Sequence, residues 1–229
     1  MPATPEKTAL LTGGSSGIGE AIAKRLVEDG WQVLALSRSE PKFKHHRLKF
    51  CAVDLLDDTA FQTLLNRVGP VDAIIHSAGV LRAGSISEMK LEDADLMWRL
   101  HMDCAARLVQ TLSPRMPNGG RIVLIGSRVA NGVAGRSLYA ASKSALIGFS
   151  RSIAAELAAR QITANIIAPG ATDTPMLHDP ARASTPPIMP PMRRLVRPEE
   201  VAATAAFLLS DGAASITGQN IVICGGSSL

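Results

Sequence analysis

Aromatic residues are scarce in this chain. They make up 3% of it, with one tyrosine, two tryptophans and five phenylalanines. A core must then come from Ala, Val, Ile and Leu, which suits a parallel sheet covered by helices on both faces. Cysteine is also scarce. Cys51, Cys104 and Cys224 are odd in number and far apart, which excludes a disulfide framework and gives no metal-ligand spacing. A reduced, cytoplasmic setting is the expectation. No apolar run is long enough to span a bilayer, and the first residues lack the long apolar stretch of a secretory signal. The formal net charge is +4, but Lys and Arg are scattered without interleaved aromatics. Nucleic-acid binding is therefore not expected. With 46% hydrophobic and 19% charged residues, disorder is excluded. The length, 229 residues, suits one α/β domain without repeats or low-complexity segments.

What is present alternates between short apolar runs and amphipathic helices. Thr8–Leu11 reads as a buried strand. It leads into Thr12-Gly13-Gly14-Ser15-Ser16-Gly17-Ile18-Gly19 and then a helix ending before Gly30. Strand, glycine-rich turn and helix form a phosphate-binding device, because glycines admit a pyrophosphate and helix N-terminal amides face its charge. Gly13, Ser15, Ser16, Gly17, Ile18 and Gly19 are the candidate contacts. Trp31–Leu36 is a second strand, followed by Ser37-Arg38. A guanidinium there accommodates a ribose 2′-phosphate, whereas a carboxylate would select the free hydroxyl. NADP(H) is thus favoured over NAD(H). Leu48–Val53 is a third strand, followed by Asp54-Leu55. Asp54 can accept from an adenine amino group or cap the helix starting near Asp57 or Asp58.

Val71–Ile75 is a fourth strand, leading into His76-Ser77-Ala78-Gly79, where small residues let backbone approach a cofactor ribose. Ser85–Met116 reads as one long, mostly helical region ended by Pro114 and Pro117. Gly120–Ile125 is a fifth strand and places Ser127 at its carboxyl end, where open α/β sheets bind ligands. Tyr139 and Lys143 stand on the first turns of the next helix, which runs to about Arg160. Their i, i+4 spacing puts them on one face, and an ammonium beside a phenol favours the phenolate. Ile162–Ile167 is a sixth strand, followed by Pro169-Gly170, Thr172 and Thr174. The proline-rich segment 175–197 reads as a substrate lid, Glu199–Leu209 as a helix and Gln219–Ile223 as the last strand. The whole is a single-domain, Rossmann-like, doubly wound parallel sheet of about seven strands.

Thr12-Gly13-x-x-x-Gly17-Ile18-Gly19, Asp54, Ala78-Gly79, Ser127, Tyr139-x-x-x-Lys143, Asn165 and Pro169-Gly170 with Thr174 occur together in this order. In this the chain resembles the short-chain dehydrogenase/reductase family over nearly its whole length, in particular its NADP-preferring, 3-oxoacyl reductase-like branch. The resemblance implies an NAD(P)-dependent oxidoreductase that interconverts a small-molecule carbonyl and alcohol. Ser127 would bond the substrate carbonyl. Tyr139 would be the general acid/base. Lys143 would bind the nicotinamide ribose and lower the tyrosine pKa, and Thr174 would hold the carboxamide. The resemblance also implies a homo-oligomer, tetramer or dimer. Two departures stand out. His76-Ser77 replaces the family's usual Asn-Asn, and His101 stands where many members carry a catalytic asparagine. The expectation is that His101 relays protons toward Lys143, with a packed histidine as the alternative. Halohydrin dehalogenation is disfavoured by the intact glycine motif and lysine. The other competing reading is a non-catalytic dinucleotide sensor, which would bind cofactor without turnover.

Overall fold

The computed structural model describes residues 6–179 and 187–229. Seven parallel strands form one sheet: β1 (Thr8–Thr12), β2 (Gln32–Ser37), β3 (Leu48–Ala52), β4 (Ala73–His76), β5 (Arg121–Ile125), β6 (Thr163–Pro169) and β7 (Asn220–Ile223). Their order is β3-β2-β1-β4-β5-β6-β7. The winding direction reverses between β1 and β4, and a crevice opens there at the carboxyl ends of the strands. The fold class and all seven strands agree with the sequence expectation, with ends moved by one or two residues.

The period of two along each strand builds both halves of the core. Leu10, Leu36, Ile74, Ile122, Leu124 and Ile166 point to one face, toward α2 (Asp58–Arg67), α4 (Cys104–Leu112) and α5 (Ser137–Leu157). Their neighbours Ala9, Leu11, Val33, Ile75, Val123 and Ile167 point to the other, toward α1 (Gly17–Glu28) and α6 (Pro198–Leu209). Phe61 of α2 is fully buried, and each such side chain contributes about 1.5–3 kcal/mol of transfer free energy. Small residues on α1 and α6 let these helices pack closely: Ala21, Ala23, Ala202 and Ala205 are all buried.

The long helical region predicted for 85–116 is shorter and interrupted. Ser85 to Lys90 is not helical. Ser85 instead bonds Glu88 through its hydroxyl, 2.8 Å to a carboxylate oxygen, and closes a turn. Helix α3 spans Leu91–Trp98, and a π-helical turn, Arg99–Asp103, separates it from α4. At that turn the Cys104 N–H donates to the Arg99 carbonyl. The Leu100 carbonyl is thereby released to another partner.

Asp57, not Asp54, caps α2, accepting from the Ala60 N–H at 2.9 Å. Part of the expected lid, 180–186, lies outside the described residues. Its two flanks are tied together by a bridge between Thr172 and Val196, with Val196 N–H donating to Ala171 and Asp173 N–H to Val196. Among the described residues no helix is long and apolar enough to cross a membrane. The three cysteines are free thiols.

Candidate active site

A cavity of about 720 Å³ occupies the crevice at the switch point. Its floor is the turn after β1. Gly13 takes φ +73°, and a Cβ there would lie 2.8 Å from the Ala78 backbone. Gly17 opens α1 at φ +56°, and a Cβ on it would press on Thr174 at 3.1 Å. The Ser16 side chain does not cap α1, so the first-turn amides face the cavity at the positive end of the helix. A pyrophosphate fits this cradle, since it needs close backbone approach and donors without intrahelical partners.

The cavity wall brings together all the sequence-derived cofactor candidates: Ser15, Ser16, Ile18, Gly19, Ser37, Arg38, Asp54, Leu55, Ser77, Ala78, Gly79, Pro169, Gly170, Thr172 and Thr174. Arg38 is exposed at the end of β2. Beside it, the Ser37 hydroxyl donates to the Ser39 carbonyl at 2.8 Å. Asp54 accepts from the Leu56 N–H at 3.0 Å and holds the turn after β3. The loop after β4 is fixed from below by Thr12, whose hydroxyl oxygen accepts from the Ser77 and Ala78 N–H groups at 3.2 and 3.3 Å. Asn165 lies apart from the cavity. It bonds the Ile216 carbonyl and the Gln219 N–H, at 2.7 and 3.0 Å, and secures the approach to β7.

Ser127, Tyr139 and Lys143 line the same cavity. Ser127 leaves β5 in extended conformation. Its hydroxyl oxygen accepts from the Val129 N–H at 3.2 Å, which leaves the hydroxyl proton free to donate. Tyr139 and Lys143 are buried on the first turns of α5, at 8% and 4% exposure. The lysine amine sits 6.0 Å from the tyrosine ring centre and donates to the Ile125 carbonyl at 2.8 Å. Burial lowers its pKa to about 7, because the charged form loses water.

Two fully buried histidines stand behind this group. The Thr12 hydroxyl lies 2.8 Å from His76 Nδ1, and His76 Nε2 lies 3.1 Å from the Leu100 carbonyl. A carbonyl only accepts, so Nε2 carries the proton and Nδ1 accepts from Thr12. The π-helical turn released that carbonyl, and His76 pairs it. His101 runs the other way. Its Nε2 accepts from the Val80 N–H at 3.1 Å, so its proton is on Nδ1, 2.9 Å from the Ser142 hydroxyl. Ser142 in turn donates to the Tyr139 carbonyl at 2.9 Å. Each tautomer is fixed by its partners. Burial first, and the Lys143 charge second, hold both rings neutral, with the His76 pKa lowered to about 3 and that of His101 also lowered. The two rings lace the loop after β4 to the π-helical turn, and His101 packs edge-on against the Tyr139 ring, 5.6 Å between centres.

Sequence reasoning missed Thr12 and Ser142 as anchoring groups, and missed Arg82, Arg128 and Arg136 in the cavity wall. Thr12 and Ser142 stand inside the quoted motifs, so proximity to a motif glycine and to Lys143 was the available signal. The arginines carry no local signal.

A profile of the family described as enoyl-(acyl carrier protein) reductase matches residues 13–228. The 3-oxoacyl-[acyl-carrier-protein] reductase FabG of Salmonella typhimurium is 36% identical over 236 residues, covering 96% of this chain and 96% of that protein. A short chain dehydrogenase family protein from Francisella tularensis superposes with a TM-score of 0.87 at 28% identity, covering 96% of this chain and 98% of that one. A blue fluorescent protein from a metagenomic library, solved in complex with NADPH, superposes with a TM-score of 0.86 at 31% identity, covering 97% and 98%.

Proposed function

The chain belongs to the short-chain dehydrogenase/reductase family, and from that premise we propose that it is an NADPH-dependent reductase of a small carbonyl compound, with Tyr139 as the proton donor. The observation that carries this reading is the joint placement of Ser127, Tyr139 and Lys143 on the wall of the cavity whose floor is the phosphate cradle.

The residues divide the work by chemistry. The Gly13–Gly19 turn and the first amides of α1 bind the pyrophosphate. Arg38 and Ser37 receive the 2′-phosphate, and no carboxylate sits at the end of β2 to repel it. Asp54 and Leu55 flank the adenine. Ser77, Ala78 and Gly79 pack against the ribose, and Pro169, Gly170, Thr172 and Thr174 orient the nicotinamide end. When bound, the reduced nicotinamide supplies a hydride to the carbonyl carbon and is itself oxidised. The Ser127 hydroxyl donates to the carbonyl oxygen as negative charge develops there. Tyr139 Oη delivers the proton that completes the alcohol, and runs the same step backwards in oxidation. Lys143 lends positive charge to that transfer and holds the nicotinamide ribose.

His101 is a positioning residue in this scheme, because both its ring nitrogens are engaged. It fixes the main chain of Tyr139 through Ser142 and the Gly79–Val80 loop through Nε2. Of the expected lid, the described residues Met176, Leu177, Pro187 and Ile188 line the cavity and would face the substrate. Of the small residues Ala154, Ala155, Ala158 and Ala159, Ala154 is buried in the core, while Ala155 near the end of α5 and Ala158 and Ala159 in the turn after it are exposed and permit close approach of a second copy in a homo-oligomer.

The test is a titration of the purified protein with NADPH and NADH by nicotinamide fluorescence, followed by a carbonyl panel. NADPH binding in preference to NADH, with carbonyl-dependent oxidation, is the expected result. Tight binding without turnover of any carbonyl or alcohol would instead support a dinucleotide sensor.

A further inference from the structure

The π-helical turn, Arg99–Asp103, is tied to both ends of the cavity. On one side lies the turn after β3, assigned above to the adenine. Two consecutive carbonyls of that turn are held from the two ends of the π-helical stretch. The Arg99 guanidinium donates to the Leu56 carbonyl at 2.8 Å, and the Cys104 thiol donates to the Leu55 carbonyl at 3.4 Å. Asp54 accepts the Leu56 N–H, so Leu56 is fixed at both its N–H and its carbonyl. Leu56 and Leu100 themselves line the cavity.

On the other side lie Tyr139 and the loop after β4. His101 accepts from the Val80 N–H and donates to the Ser142 hydroxyl oxygen, and Ser142 donates to the Tyr139 carbonyl. The main chain joins these ties, because the Cys104 N–H donates to the Arg99 carbonyl. In a regular α-helix that amide would take the Leu100 carbonyl, which here accepts from His76. One five-residue turn thus carries anchors to the adenine-side turn, to the end of β4 and to the main chain of Tyr139. Such turns are rare and recur at functional sites.

Arg99 carries the adenine-side tie. Its ion pair with Asp58 is long, 3.7 Å, and exposed, so it adds little. Asp58 keeps Arg107 at 3.1 Å without it. The bond to the Leu56 carbonyl is charge-assisted and is the stronger contact.

We infer that Arg99 is a positioning residue that couples the adenosine end of the cavity to Tyr139. A ligand that settles the turn after β3 settles Arg99, and the π-helical turn passes that order through His101 and Ser142 to the main chain of Tyr139. This rests on the reductase reading above and adds a regulation of that site. The adenosine end takes no part in hydride transfer, yet it contributes to kcat as well as to affinity, as remote binding energy does when it orients reacting groups.

The test splits the cofactor into two fragments, 2′-AMP for the adenosine end and nicotinamide mononucleotide for the other. The first carries no 5′-phosphate, so the two do not compete for the pyrophosphate cradle. Lys143 and Tyr139 share α5 and face the nicotinamide end, so order at α5 should reach the second fragment. Calorimetry of the purified protein should show that saturating 2′-AMP tightens nicotinamide mononucleotide at least about fivefold. Arg99→Met should bring that factor below about twofold. Arg99→Gln, without the charge or the length, keeps the test decisive where Arg99→Met does not fold.

In the same variant, kcat at saturating NADPH should fall at least about fivefold. A role confined to the adenine turn would raise the Kd for NADPH and leave kcat alone, so a kcat within about twofold of wild type would overturn the link to Tyr139. Calorimetry decides where no carbonyl is turned over. Fragments that bind independently in the wild-type protein, or coupling that survives the substitution, would overturn the inference. So would failure of the fragments to bind, alone or together, to a protein that binds NADPH. These results leave the reductase reading standing. Absence of NADPH binding removes that reading and the inference with it.

Discussion

Replacing Lys143 with methionine should make the cofactor-free protein more stable near neutral pH while abolishing turnover. Lys143 is 4% exposed, and its pKa falls from 10.5 to about 7 through desolvation. A lysine held that far below its free value costs folding about 4–5 kcal/mol at and below neutral pH. Methionine fills a similar volume without a charge. What is lost is the amine's 2.8 Å bond to the Ile125 carbonyl, and leaving that oxygen unpaired costs about 1–3 kcal/mol. The net expectation is a gain of about 2 kcal/mol at pH ~6.5.

The sign of the pH dependence follows from proton counting. Below about 7 both folded and unfolded chains hold the lysine proton, and the penalty is constant and largest. Between about 7 and 10.5 the folded chain binds fewer protons than the unfolded one, so wild-type stability rises with pH. The methionine advantage must shrink over that window, by about 3 kcal/mol between pH ~6.5 and ~9.5. Urea unfolding of both proteins at these two pH values measures the difference, and other titrating groups cancel between them. A Lys143→Met protein that is less stable at pH ~6.5 would refute the reasoning. So would a stability gap that does not change with pH. The stored cost is what a functional lysine in a dry site entails, and such sites are commonly less stable than a neutral replacement.

Other substitutions test other parts of the site. Arg38→Asp should raise the Kd for NADPH by at least about tenfold and leave NADH within about threefold, measured by nicotinamide fluorescence; equal losses would contradict the assignment of Arg38 to a 2′-phosphate. Gly19→Ala should abolish cofactor binding and lower stability by about 3 kcal/mol or more, because the added Cβ would overlap the Gly13 carbonyl oxygen. His101→Leu should cost about 2–5 kcal/mol in urea unfolding, since it strands the Val80 N–H and removes the donor to the Ser142 oxygen, which keeps only its bond to the Tyr139 carbonyl. Because His101 is held neutral by burial, any limb of the pH–rate profile near neutrality should survive His101→Gln; its disappearance would restore the proton-relay role.

The architecture was legible because each strand is a run of aliphatic residues bounded by turn chemistry, and because α1, α2 and α6 open at a Gly, an Asp cap and a Pro. Thr8–Leu11 and Ile122–Ile125 could hardly be anything but buried strands. The 85–116 region misled for two reasons. Its first residues are polar and close a Ser85–Glu88 turn. Its single extra residue at Arg99–Asp103 shifts the ladder without disturbing the apolar spacing. A period count cannot register a π-helical turn of that kind.

The site divides in the same way. Tyr139 and Lys143 were visible as an i, i+4 pair, and the glycine turn as a strand-to-helix junction. The histidines were visible only as substitutions. Their bonding depends on β4 lying beside the π-helical turn, which brings together residues 24 apart, His76 and Leu100. The choice between relay and packed ring then comes down to which ring nitrogen faces an N–H and which a carbonyl. Arg128 and Arg136 had no pattern at all. Only the fold brings them to the wall that Tyr139 also lines.

The most direct measurement of the central claim is a paired assay of Tyr139→Phe, with NADPH affinity and carbonyl-dependent NADPH oxidation taken on the same preparation. Removal of one oxygen should leave the Kd for NADPH within about threefold and lower kcat by at least about a thousandfold, because only the proton donor is lost. Turnover retained within about tenfold, with cofactor bound normally, would mean that the proton comes from elsewhere and would contradict the role given to Tyr139.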